Sequence, residues 1–155
     1  MKIHSQLIFL LFFLLSSSIF SASIEKGKWN FVKEDNYCYI GSLPISSDIP
    51  EGKKRGDVYI LIYRINKNTE AIVQINSGYP YKNEEPVNVK IDKKNYEFYA
   101  DEDSAWTDKD NEVIYAMKKG IKLFVFGISS RGTKTIDTYT LNGFTTAYNK
   151  LTKDC

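Results

Sequence analysis

The stretch whose reading decides the fold is IKLFVFGISSRGTKTIDTYTLNGF, residues 121–144. From Ile121 to Ser130 it is rich in β-branched and aromatic residues and reads as the strongest strand of the chain. Gly127 interrupts that strand, which predicts a bulge or a close backbone neighbour. Ser129 to Gly132 form a turn, in which Gly132 is free to take positive φ. Thr133, Thr135, Thr138 and Thr140 suit a second strand, and their hydroxyls can bond locally at its ends. Asp137 falls in mid-strand, an unusual place for a carboxylate. We expect Arg131 to hold it, with Lys134 or backbone N–H groups as other candidates. Tyr139 and Leu141 point to the core, and Asn142–Gly143 turn the chain into a last helix. This strand, turn, strand and helix start is a structural reading in preference to a ligand loop.

The same short-strand pattern extends outward. KWNFV places Trp29 and Phe31 on one face, and NYCYIGS continues with Tyr37, Cys38, Tyr39 and Ile40. IPEGKKRGD, residues 49–57, is a polar, turn-rich loop whose glycines lack the spacing of a phosphate-binding loop. VYILIYRI is apolar on both faces, as a central strand would be. TEAIVQINSGYP is another strand, ended by Gly78 and Pro80. VNVKI and YEFYA alternate strictly around DKKN and form a hairpin. Two segments are helical. DNEVIYAMKKG has Asp110 as N-cap, an apolar face of Val113, Ile114 and Met117, and Gly120 as a stop. NGFTTAYNKL has Asn142 as a possible cap, with Phe144, Tyr148 and Leu151 on one side. Many short strands with two helices predict an all-β sandwich, with a short helix before the penultimate strand and a C-terminal helix.

The first 23 of 155 residues differ from the rest. Lys2 and His4 precede an apolar run from Leu7 to Leu15, and Ser21 and Ser23 follow as small residues. This is the pattern of a secretory signal peptide, and the run is short for a membrane-spanning helix. We therefore expect a signal peptide over 1–23 and a single domain over 24–155, with membrane contact only during export. Losing Lys2 from the 21 basic residues leaves 20 against 19 acidic ones, close to neutral despite a sequence pI near 8.4. That balance gives no footprint for nucleic acid.

His4 is the only histidine, so the chain after residue 23 has no imidazole for triad catalysis, and most zinc and haem arrangements are excluded as well. We expect no catalytic residue, metal or cofactor. Cys38 and Cys155 are the two cysteines, and in an exported chain they are expected to form one disulfide, the alternative being two free thiols. Closing a loop of that length is worth about 5 kcal/mol in the chain-entropy model. Asp101, Glu102 and Asp103 are a solvated acidic turn in the simplest reading. Tyr79, Tyr81, Trp106 and Arg131 are weak candidates for partner contacts, since aromatic and arginine side chains anchor interfaces. The simpler expectation places Trp29 and Trp106 in the core.

RGD-Y, GYP, AW and AMKKG, followed by the long segment from Gly127 to Phe144 and a terminal Cys, resemble the invasion-associated locus B family of exported bacterial proteins. The long segment is the specific part, and the resemblance runs from about Trp29 to Cys155. It implies an immunoglobulin-like β-sandwich, secreted or periplasmic, without known enzymatic activity; we expect such a protein to act by binding an unidentified macromolecule of the envelope or cell exterior. Two other classes stay open. A glycan-binding or glycan-hydrolysing protein would use Asp101, Glu102 or Asp103 with Trp106. An envelope chaperone would show an apolar groove or an unpaired sheet edge.

Overall fold

The computed structural model of the protein describes residues 24–66 and 69–155. The signal peptide expected over 1–23 lies outside the described residues. Ten strands follow in chain order: β1 (Asn30–Lys33), β2 (Cys38–Ser42), β3 (Ser46–Asp48), β4 (Tyr59–Arg64), β5 (Ile72–Asn76), β6 (Val87–Ile91), β7 (Lys94–Asp101), β8 (Ser104–Trp106), β9 (Lys122–Ile128) and β10 (Lys134–Thr140). The helix α1 (Asp110–Lys119) precedes β9, and α2 (Phe144–Asp154) closes the chain. The fold is mostly β, with both helices where the sequence pattern put them.

The ten strands form one antiparallel sheet, in the order β1-β2-β4-β5-β8-β7-β6-β9-β10-β3. The sheet curls, and β7 is where it changes direction. Lys94 to Phe98 of β7 pair with Val87 to Ile91 of β6, whereas Tyr99 to Asp101 pair with β8. The chain also passes from one half to the other between β2 and β3, where the Ile45 N–H donates to the Thr138 carbonyl at 2.7 Å. The outer strands are β1 and β3. β3 has only three residues, all exposed and polar, a common way of blunting a sheet edge.

Alternation explains the core. Ile60 and Ile62 of β4, Val73 and Ile75 of β5, and Val87 and Val89 of β6 are all essentially inaccessible to solvent. So are Phe98 of β7, Leu123 and Val125 of β9, and Tyr139 of β10. They form one cluster with Val113, Ile114 and Met117 of α1 and Phe144, Ala147 and Leu151 of α2. At roughly 25 cal/mol per Å² of apolar area, each of the Val, Ile, Leu, Phe and Met side chains among them contributes about 1.5–3 kcal/mol of burial. Trp29 joins them, with Nε1–H donating to the Thr140 carbonyl at 2.9 Å and its ring edge-on to Phe144. Trp106 is half-buried, edge-on to Tyr63.

Two ends differ in detail from the sequence reading. Asp110 does not cap α1: its Oδ1 accepts the Val73 N–H at 2.8 Å, which ties the helix to β5. The carboxylate thus satisfies a strand donor in place of a helix one. Its pKa is raised, mainly by burial. At α2 the capping position is Gly143, in the left-handed region at φ 83°, where a Cβ would be strained. Gly120 ends α1 as expected, its N–H donating to Ala116.

Candidate binding site

The β9–β10 hairpin, the 49–57 loop and the segment after β5 meet at one end of the sheet. Asn76 starts the assembly, its Oδ1 accepting the Gly78 N–H at 2.8 Å. Gly78, at φ 71°, then lies against Gly56: the Gly56 N–H donates to the Gly78 carbonyl at 2.8 Å. A Cβ on Gly78 would stand 2.5 Å from the Gly56 carbonyl oxygen, so this approach needs glycine. It brings Arg55 beneath the hairpin.

Asp137 is 1% exposed, and its ion partner is Arg55. This corrects the expected pairing with Arg131. One guanidinium nitrogen, Nη1, donates to Oδ2 at 2.9 Å, and Nη2 donates to Oδ1. Ser47 of β3 donates its hydroxyl to Oδ1 at 2.7 Å. Burial acts to lower the Arg55 pKa, but the hydrogen bonds and charge of Asp137 outweigh it and the net shift is upward. Arg131 sits in the turn six residues from Asp137, about 20 Å along a strand at ~3.3 Å per residue, and is exposed. A two-pronged bond from a fixed loop is the geometry that holds a buried carboxylate.

Three tyrosines surround the ion pair. Tyr79 and Thr135 share a hydroxyl hydrogen bond at 2.6 Å, and Tyr81 and Ser77 share another. The Tyr79 and Tyr81 rings meet edge-on. Burial is the first cause raising the pKa values of Tyr79, Tyr81 and Tyr139, so all three phenols stay protonated. The Tyr139 hydroxyl is buried without a hydrogen-bond partner among the described residues. Gly127 does have a close neighbour, but it is a side chain and not the expected backbone, and the β9–β10 register runs through it without a bulge: a Cβ would fall 2.2 Å from the Tyr79 hydroxyl.

Above this layer opens a cleft of about 340 Å³. Lys53, Lys54 and Arg55 line one side, Arg131, Ser130 and Thr133 the other, and Tyr79 and Pro80 form a wall. Across the Gly78–Pro80 ridge lies a shallower trough, where Asp57, Asp101, Glu102 and Asp103 surround Tyr59. The three consecutive acids therefore share one concavity, although each is exposed. Of the candidate contact residues, Tyr79 and Arg131 line the cleft, Tyr81 lies buried below it and lines the trough, and Trp106 belongs to neither. The lysines and Arg55 were missed by sequence reasoning. The run of three cations in GKKRGD was the available signal, read there only for its glycine spacing. No group of three or more His, Cys, Asp or Glu able to hold a metal occurs among the described residues.

Cys38 and Cys155 are free thiols, so the disulfide expected from the sequence is not formed here: Cys38 is buried in the core cluster and Cys155, at the end of α2, packs against that cluster without a sulfur–sulfur bond. The Cys38 thiol has its pKa pushed up to about 11, first by burial and then by Cys155.

A family model described as invasion associated locus B (IalB) protein matches residues 33–152. The crystal structure of invasion associated protein B from Bartonella henselae is similar, with TM-score 0.58 and 16% identity over 81% of this chain and 92% of that one. At that identity the likeness speaks to fold alone. No curated protein sequence matches the chain.

Proposed function

The chain belongs to the invasion-associated locus B family, and on that premise we propose that it is an exported, non-enzymatic envelope protein that binds another macromolecule. The observation that carries this reading is the cleft at the loop end. It combines cations, hydroxyls and an aromatic wall over a rigid buried ion pair. Loops presented by a rigid scaffold are the usual place for recognition. The absence of histidine after residue 4 supports binding over acid–base catalysis. In this reading the two halves of the curled sheet, joined through β7, act as the faces of an immunoglobulin-like sandwich. Cys38 and Cys155 close as a disulfide after export. The packing of Cys155 against the core cluster that contains Cys38 supports this, and a mass two hydrogens below the reduced protein is the expected result; an unchanged mass rejects it.

A photoreactive side chain at Ser130, activated in intact cells, tests the binding role. We expect a discrete macromolecular adduct. Adducts with small metabolites alone, or none, overturn it. The glycan-hydrolase reading is favoured only by the convergence of four acids in the trough. Turnover of an oligosaccharide that Asp103→Asn abolishes would establish it.

A further inference from the structure

We propose that the cleft between the 49–55 loop and the β9–β10 turn binds an acidic glycan. Its anionic group would lie on Lys53, Lys54 and Arg131, and its sugar hydroxyls on Ser130 and Thr133. This deepens the macromolecular reading above by assigning the class of partner.

Charge comes first. Lys53, Lys54 and Arg131 are exposed at the cleft, and their side chains have no ion pair or hydrogen bond among the described residues. The fourth cation, Arg55, is neutralised by Asp137 and forms the floor, so it fixes shape without adding free charge. Asp48 and Glu51, although on the adjoining chain, do not line the cleft, and neither does Asp57. Three unopposed cations around one concavity therefore face any ligand. Removing an anion from water toward them is favourable because each can donate a charge-assisted hydrogen bond.

The remaining surface is suited to a sugar. The side-chain hydroxyls of Ser130 and Thr133 carry no hydrogen bond among the described residues, so both can donate and accept. Ser129 and Thr135 are already committed, to the Thr133 N–H and to Tyr79. Tyr79 and Pro80 supply an apolar wall against which a sugar face can lie. The volume, about 340 Å³, falls within the roughly 300–1,000 Å³ of ligand sites. A bilayer is disfavoured. None of the exposed large apolar side chains Tyr37, Ile65, Tyr99, Tyr115, Ile121 and Phe126 lines the cleft, so nothing there would enter lipid. Nucleic acid is disfavoured by the short reach of the basic patch in a nearly neutral chain.

Titration of the isotopically labelled mature protein with glucose 6-phosphate, glucose, inorganic phosphate and phosphatidylglycerol vesicles decides the matter. Glucose 6-phosphate should shift the amides of residues 130–133 saturably, and added salt should weaken it. Each of Lys53→Ala, Lys54→Ala and Arg131→Ala should weaken binding about tenfold, as expected for one hydrogen bond to a charged group, with the melting temperature unchanged. Should any of these lower the melting temperature, Lys53→Gln with Lys54→Gln gives the same reading. No saturable shift, or affinity indifferent to these substitutions, overturns the proposal. So does equal affinity for phosphate alone, or binding to vesicles only. A retained macromolecular crosslink without sugar-phosphate binding sinks the glycan assignment alone. The reverse result sinks the macromolecular reading and leaves the cleft's chemistry standing.

Discussion

Two sets of carboxylates sit near the same end of the sheet and live in opposite conditions. Asp137 is 1% exposed and takes three hydrogen bonds from Arg55 and Ser47. Asp101, Glu102 and Asp103 lie in an exposed turn, and among the described residues only the Asp103 side chain of the three accepts a hydrogen bond, from Ser104 at 3.3 Å. The run of three attracts the eye in a sequence, yet water solvates it at little cost. The single acid in a strand is the one the fold must satisfy, because an uncompensated charge in the interior costs several kcal/mol.

The contrast can be broken most forcefully at the ion pair. Arg55→Met or Asp137→Asn leaves one buried partner unmatched and should lower stability by about 3–5 kcal/mol in urea denaturation. Replacing both with apolar residues of similar volume should recover most of that loss. If either single change is silent, the pair does not hold the loop to the hairpin. Gly127→Ala is next, at about 1–3 kcal/mol, because the new methyl displaces the Tyr79 hydroxyl from Thr135. A normal melting temperature for this variant would mean that Tyr79 is free to move.

Asp110 sharpens the comparison, being half-buried and bonded to one backbone N–H. Its folded pKa lies above its ordinary value of 3.8, so above that pH the native state holds the proton longer than the unfolded chain. Stability contributed by the protonated form is therefore present at low pH and lost as pH rises through the folded value. Asn can still accept the Val73 N–H. Asp110→Asn should thus gain on the natural protein in melting temperature between pH 3.5 and pH 7, and a constant difference would reject the burial argument. The smallest effect belongs to the acidic turn, where Asp101→Asn and Asp103→Asn should each change stability by no more than about 0.5 kcal/mol.

Much of the architecture was legible locally. Strict alternation marked β6 and β7, and helical spacing marked Val113, Ile114 and Met117; Gly127 within an apolar run signalled crowding, but from backbone, whereas the Tyr79 side chain supplies it. The polar site was not legible, for a physical reason. Arg55 and Asp137 are 82 residues apart, and no periodicity in either segment encodes which loop crosses which strand. The sequence offered Arg131 because it is near in the chain. The fold chose Arg55, because the contact of Gly56 with Gly78 carries it under the hairpin. Asp110 failed as a cap for the same reason, a distant strand donor having taken its carboxylate.

β7 has a consequence for how the molecule comes apart. One strand supplies ladder partners to β6 with its first part and to β8 with its last. Peeling it from either neighbour disturbs both ladders, so the amides of β6, β7 and β8 should exchange with deuterium as a single unit, at one common rate set by one opening event.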